Sequence, residues 1–319
     1  MLNIENAIIY EIVEQEFLLD GEPEAKPSGC FCSHVEAKYL LVLGKKELDN
    51  RICSCIERIP QKLAGVLTSP IVMSESLISL KEKELGCVCI DFGAETTTVV
   101  VFADNFMRHI AVIPFGGKTV TKDIMDLQVT FVDAENLKKR YGCALVDLEK
   151  QTKTITLKSP LHNNQEHKVN TRNLAACIQA RMDEIMDMVC MEIQKSGYAK
   201  KLRAGIVITG GASQLKGLPE LIELKTGLRV RHANFDHLLS DVSDSTLLTP
   251  EHALLMGLVN FANANCVVNR TVVEQQGTEI KPVEPPKRPK KGNKIKAFTE
   301  KIGDLFFNDS NEFDQEKEL

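Results

Sequence analysis

An α/β fold divided into two domains is expected from three features of this 319-residue chain. Residues 86–102 (Gly-Cys-Val-Cys-Ile-Asp-Phe-Gly-Ala-Glu-Thr-Thr-Thr-Val-Val-Val-Phe) carry apolar side chains on both faces, either side of a glycine turn. That is the pattern of a hairpin in a sheet covered on both sides. Ala204 to Thr209 is a second short apolar run, followed at once by Gly210 and Gly211 and then by Gly217-Leu-Pro, a strand, turn and helix in sequence. Between the two, Leu174, Ile178, Met182, Ile185, Val189 and Ile193 recur every three or four residues, which marks a long helix over 171–195. An apolar fraction of 43% supplies cores for two domains of ordinary size.

The elements follow in order along the chain. Residues 6–19 alternate in the β manner, turn through Gly, Glu and Pro, and resume as a strand over 33–43. Lys46 to Leu63 repeats Leu48, Ile52, Cys55, Ile56 and Ile59 at helical spacing, a surface helix. Val66 to Val72 reads as a strand and Ser74 to Leu80 as the helix after it. Beyond the hairpin, Ala134 to Leu145 is an amphipathic helix closing on Gly142, and a strand pair lies around 152–157 and Lys168. On the long helix, Met186 and Met191 add bulk around the apolar stripe. Thr249 is the expected N-cap of a last helix with Pro250 in its first position, and Gly257 allows another backbone to approach. His252 reads as an exposed first-turn residue rather than a base.

Composition narrows the classes of function. A net charge of −5 gives the whole chain no general attraction for nucleic acid. Ten cysteines include Cys-x-Cys pairs at 30/32, 53/55 and 87/89, tighter than zinc ligands are usually spaced. On a strand, residues i and i+2 share a face, so Cys87 and Cys89 read as small core side chains. No secretory signal opens the chain and no apolar run reaches transmembrane length, so reduced thiols in a cytosol are expected.

The hairpin turn gathers backbone amides and threonine hydroxyls near one carboxylate. Gly93, Ala94, Thr96 and Thr97 suit phosphate oxygens, and Asp91 suits Mg²⁺, directly or through water. Paired glycines at Gly210 and Gly211, followed by Ala212, let a backbone reach a ligand that a Cβ would exclude. Ile208-Thr-Gly-Gly-Ala212 with Gly217-Leu218 resembles the adenosine motif of the actin-like ATPase superfamily, and Asp91-Phe-Gly-Ala-Glu-Thr-Thr97 resembles its second phosphate motif.

Neighbouring segments narrow the resemblance. Ile113-Pro-Phe-Gly-Gly117, Thr119-Val-Thr-Lys-Asp-Ile124 and Arg140-Tyr-Gly-Cys-Ala-Leu145 are similar to FtsA, the bacterial cell-division family that tethers the tubulin-like FtsZ to the membrane. The likeness runs from about Val35 to Ala262, and the threonine-rich turn is similar to the Bacteroidetes branch. It implies an actin-like (ribonuclease H-like) fold with an incomplete domain I, a complete domain II and a C-terminal amphipathic helix. By that resemblance, 1–45 belong to subdomain IC, 46–85 to part of IA, 86–121 and 199–248 to IIA, 122–198 to IIB, and 249–264 to the helix returning to domain I. ATP and Mg²⁺ are the implied ligands, with Arg181 and Glu184 at the base and ribose. A solvated i,i+3 ion pair is the blander reading of those two residues. The resemblance also implies an FtsZ C-terminal peptide on IIB, with Lys139 and Arg140 as contacts, together with self-association into filaments and other divisome partners.

Two features depart from the family pattern. No Asp-x-Gly hairpin precedes residue 86, so the first phosphate motif is expected to be missing, through an internal start, a disrupted gene or a shortened form. Glu95 stands in the phosphate turn where many relatives carry glycine, and its charge near phosphate is unfavourable unless a cation intervenes.

The C-terminal stretch reads separately. Residues 265–292 form a basic, proline-rich linker, and 309–319 an acidic tail. Between them, 293–308 align Ile295, Phe298, Ile302, Leu305 and Phe306 on one helical face with lysines off it, suited to lie in a bilayer interface. Docking on the globular part or on a partner is the alternative. The reading favoured overall is an ATP-binding adaptor at the cytoplasmic side of the inner membrane, at the division septum. The alternatives are a nucleotide-dead remnant keeping the FtsZ and membrane contacts, a pilus-assembly relative of the same fold, and an actin-fold small-molecule kinase with Glu75 as its base.

Overall fold

The computed structural model describes residues 7–24, 27–59, 63, 65–158, 166–235 and 248–262. The chain forms two compact units, one whose described residues fall between 7 and 66, the other over Leu67–Asn263. The first unit includes residues 46–66, which follow its strands.

In the first unit, β1 (Ala7–Leu19) and β3 (Val35–Lys45) pair antiparallel from Ala7↔Lys45 to Leu19↔Val35, with β2 (Glu22–Glu24) on the other side of β1. Asp20 and Gly21 turn the chain with positive φ, and the Asp20 carboxylate accepts from the amides of Ser33 and His34 at 3.1 and 2.8 Å. Helix α1 (Lys46–Ile56) follows directly, and Leu48 and Ile52 on it are exposed, as expected of a surface helix.

The second unit is built on a five-stranded sheet in the order β10-β9-β4-β5-β6, from β4 (Cys87–Phe92), β5 (Thr97–Ala103), β6 (Phe106–Ile113), β9 (Gly205–Thr209) and β10 (Val230–His232). β4 runs antiparallel to β5 and parallel to β9, so the predicted hairpin and the second glycine strand lie side by side. All of β5 and β9 is buried, because both faces of the sheet are covered. Val88, Ile90, Val99, Val101, Ile206 and Ile208 share one core with the helices that follow β6 and β9. Cys87 and Cys89 are wholly buried among the strands, and burial pushes the Cys87 thiol up to about 12. They are core residues, as their spacing suggested.

After β6 the chain leaves the sheet through α4 (Gly117–Ile124), α5 (Phe131–Tyr141), the hairpin β7 (Thr154–Lys158) with β8 (Glu166–Asn170), and α6 (Thr171–Lys195). It returns at β9 and continues through α7 (Leu218–Thr226). The six stripe residues of α6 are buried, as is Met186. Met191 is 47% exposed instead of packed. Five residues beyond Met186, it stands about 140° around the helix and faces away from the core.

The segment 66–80 differs from its expected strand and helix. It forms two helices, α2 (Ser69–Leu77) and α3 (Leu80–Leu85). Thr68 is extended at the N-cap and Pro70 stands in the first turn of α2, where its fixed φ suits a helix and its missing N–H is not needed. Ser79 then restarts the chain as α3 through a capping box: its hydroxyl accepts from the Glu82 amide at 3.4 Å while Glu82 accepts from the Ser79 amide at 2.9 Å. Helix α8 (Ala253–Ala262) packs on α2 at Gly257, where a Cβ would stand 2.9 Å from Val72 Cγ1 and 3.0 Å from the Val72 carbonyl. The close approach expected of that glycine is what the helix pair uses.

Candidate functional site

Three turns converge at one end of the large sheet. The first, 93–96, joins β4 to β5 and is closed by Gly93 N–H donating to the Thr96 carbonyl at 2.9 Å. The second is the 3₁₀ turn Gly211–Gln214 after β9. Asp91 pairs with Thr98 on one side and Thr209 on the other, so the two turns leave neighbouring strand ends. Gly210, at φ 88°, presses against them: a Cβ there would stand 2.2 Å from Asp91 Oδ1 and 2.5 Å from the Phe92 carbonyl. The third is the start of α4, where the amides of Gly117 and Lys118 donate to the carbonyls of Gly93 and Ala94 at 2.9 and 2.7 Å. A Cβ on Gly117 would meet Ala212 Cβ at 3.0 Å, so this helix start touches both other turns.

The hydrogen-bond balance of these turns points to an anion. Among the described residues, the amides of Ala94, Glu95, Thr96, Gly211 and Ala212 donate to no protein acceptor. Clustered amides without a protein acceptor are the means by which turns hold phosphate. A cavity of about 960 Å³ opens beside them, lined by Gly93, Ala94, Gly117, Lys118, Gly211 and Ala212 and by residues of α5 and the 148–153 segment. Its lining holds seven basic residues (Lys118, Lys138, Lys139, Arg140, Lys150, Lys153, Lys216) against three acidic ones (Glu135, Glu149, Glu251), a cationic excess that favours a polyanion. Lys138 is committed to the protein, bonding the Gly117 carbonyl at 2.9 Å, Thr121 Oγ1 at 2.7 Å and Glu135 at 2.8 Å. Arg140, Lys150 and Lys153 make no ion pair among the described residues.

Of the residues singled out in the sequence, Gly93, Ala94, Gly211 and Ala212 line the cavity, and Thr96 sits exposed on the first turn. Asp91 and Gly210 pack against each other at the base of the turns, outside the lining. Burial raises the Asp91 pKa above the ordinary carboxylate value. No cluster of three metal-ligating side chains occurs among the described residues. A divalent cation here would take Asp91 as its one protein carboxylate and complete its shell with ligand oxygens and water, a donor set that suits Mg²⁺.

Three of the expected roles meet surroundings other than those expected. The Thr97 hydroxyl does not face a ligand: it is fully buried and donates to the Phe115 carbonyl at 2.8 Å. Arg181 and Glu184 do not reach the cavity. Arg181 is held by Asp123 at 2.5 and 3.1 Å and by Glu184 at 2.5 Å, while Met182, about 100° around α6, supplies the lining. Glu75 bonds Lys83 Nζ at 2.5 Å and is not in the lining, so it offers no base to a substrate there. Lys139 and Arg140 line the same cavity as the phosphate turns.

The residue missed in the sequence is Lys118. Its Nζ stands 2.7 Å from Glu95 Oε1, so a cation does intervene beside the turn carboxylate, and it is a lysine. Its proximity holds the Glu95 carboxyl below the usual range. The Gly116-Gly117 pair before a helical stretch was the available signal, since a Cβ on Gly116 would meet the Gly93 and Ala94 carbonyls at 2.6 and 2.8 Å. Ile295, Phe298, Ile302, Leu305 and Phe306 lie outside the described residues. No helix among the described residues is long and apolar enough to cross a membrane.

Residues 88–257, just over half of the chain, match the family model for cell division protein FtsA. The chain is 32% identical over 257 residues to the cell division protein FtsA of Neisseria meningitidis serogroup B, covering 80% of this chain and 61% of that protein. It is 29% identical over 262 residues to that of Bacillus subtilis (81% and 57%), and 27% identical over 285 residues to that of Escherichia coli K12 (86% and 68%). It thus spans little more than half the length of several curated relatives. Among solved structures, a PilM–PilN type IV pilus biogenesis complex superposes with a TM-score of 0.59 at 14% identity, covering 82% of this chain and 68% of that one. MreB5 of Spiroplasma citri bound to ADP gives 0.52 at 13% identity, covering 82% and 90%. At such identities the likeness concerns the fold alone, and that fold is the expected actin-like one.

Proposed function

The chain belongs to the FtsA family of cell division proteins, and on that premise we propose that it is an actin-like adaptor that holds ATP with Mg²⁺ in the cavity of its second unit and ties FtsZ to the membrane at the division septum. The observation that carries the nucleotide reading is the set of five amides, from Ala94 to Thr96 and from Gly211 to Ala212, that meet no protein acceptor among the described residues, beside a cationic cavity. The ADP bound to the MreB5 relative gives a precedent on this fold. In this reading the two turns and Thr96 cradle the phosphates, Asp91 serves the Mg²⁺ shell, and the 960 Å³ cavity takes the nucleoside. Equilibrium dialysis with ATP and Mg²⁺ should give saturable binding that falls as salt rises. Undetectable binding at millimolar ATP would overturn it.

The adaptor half of the proposal rests on the family and on the amphipathic stretch 293–308. Five large apolar side chains on one face, each worth about 1.5–3 kcal/mol at full burial and less at an interface, with lysines worth about 1 kcal/mol each near anionic lipid, support weak attachment by a single copy. Self-association into filaments would multiply that attachment through avidity. Lys139 and Arg140, which line the cavity, are the contacts proposed for the acidic FtsZ peptide. Flotation with anionic vesicles is expected to carry the protein upward and to fail for Phe298→Asp and Phe306→Asp. Equal flotation of all three would sink the membrane reading.

A further inference from the structure

On the reading that the two turns hold a nucleoside polyphosphate, we propose that Lys118 and Glu95 form a charge gate at the phosphate end of the cavity: an entering nucleotide takes Lys118 away from Glu95, and the competition between them sets the affinity. The geometry is specific to this pair. Glu95 belongs to the first turn, between two residues whose amides, like its own, have no protein acceptor among the described residues. Lys118 is tied to that turn at both ends, its amide to the Ala94 carbonyl at 2.7 Å and its Nζ to Glu95 Oε1 at 2.7 Å, and it lines the cavity.

The pair does little to hold the fold. Both side chains are open to solvent, Lys118 at 46% and Glu95 at 72%, and exposed pairs contribute little to stability. Its position gives it another consequence. Lys118 has one ammonium to offer, and either the carboxylate or a phosphate oxygen can accept from it. While it is on Glu95, the turn is neutralised and shut to the ammonium's other use. Once a phosphate draws it off, Glu95 stands uncompensated beside the ligand and pushes back. Lys118 therefore favours binding and Glu95 opposes it, although in the free protein they are partners.

That opposition is what the test reads. ATP affinity would be measured by equilibrium dialysis for the full chain and for Lys118→Met, Lys118→Arg and Glu95→Gln, at low and at physiological salt. Lys118→Met should weaken binding about tenfold, the scale of one charge-assisted hydrogen bond, and flatten the salt dependence, while Lys118→Arg restores most of both. Glu95→Gln should tighten binding several-fold. Melting temperatures should stay together, which separates the gate from a merely structural role. If the parent chain binds ATP but Lys118→Met and Glu95→Gln each change affinity by less than about twofold, or in the same direction, the gate is overturned and the site stands. If the parent chain itself does not bind, the site reading and the gate fall together.

Discussion

Replacing Gly210 by alanine is expected to destabilise the second unit by about 3 kcal/mol or more and to abolish nucleotide binding with it. Two costs act at one atom. At φ 88° and ψ 161°, residue 210 occupies a backbone region that L side chains rarely adopt, worth about 1–3 kcal/mol by itself. A Cβ would also stand 2.2 Å from Asp91 Oδ1, 2.5 Å from the Phe92 carbonyl oxygen and 2.7 Å from the Phe92 carbonyl carbon. Two of those three atoms are backbone, held in the ladder that pairs β4 with β5 and β9, so they cannot step aside cheaply. The turn would have to move, and with it the amides of Gly211 and Ala212. Gly227→Ala is the matched comparison, since its φ is also positive, at 70°, but nothing lies within 4 Å of its added Cβ. It should cost only about 1–2 kcal/mol and leave ATP binding unchanged. Denaturant unfolding of both variants, read with dialysis, checks the prediction, and a Gly210→Ala variant as stable as Gly227→Ala would refute it.

Much of this arrangement was legible in the sequence because it is local. The β4–β5 hairpin is written in a two-sided apolar run broken at Gly93, and α6 in a stripe whose predicted limits, Thr171 and Lys195, are those observed. Gly210 and Gly211 mark a turn wherever they occur. The segment 66–80 was less legible, since a short apolar run does not separate strand from helix by periodicity. There Pro70 and the Ser79–Glu82 capping box decided. The site's side chains were legible only in part. Thr97 shares the threonine run with Thr96, but it is the first residue of β5, and its hydroxyl turns to Phe115, eighteen residues away in sequence. Arg181 and Met182 are adjacent in the chain and face different surroundings, a difference that depends on how α6 lies against α4. Lys118 carries no motif of its own. Its place beside Glu95 exists only because the hairpin turn returns to the start of α4, a contact across twenty-three residues.

Asp91→Asn should separate stability from ligand binding, moving them in opposite directions. Burial raises the carboxyl pKa in the native state above its ordinary value. The native state therefore binds this proton more tightly than the unfolded chain does. The stability linked to it is present below the unfolded-state pKa and is lost as pH rises through the raised native pKa. Wherever Asp91 is ionised, the nucleotide-free protein carries a charge in a site that disfavours it. A neutral amide of the same shape removes that cost, so Asp91→Asn should melt above the parent chain at pH 7 without ligand, with the difference shrinking in acid. With nucleotide the order reverses. A divalent cation favours the ionised carboxylate, so Mg²⁺ should raise ATP affinity in the parent chain and have little effect in Asp91→Asn. Thermal melting across pH, with and without MgATP, reads both halves. A variant that melts lower without ligand contradicts the burial argument, and one that keeps the full Mg²⁺ response removes Asp91 from the metal's shell. On the nucleotide reading, a residue whose charge is unfavourable without ligand and useful with it would link nucleotide loading to the stability of the strand ends between which it lies.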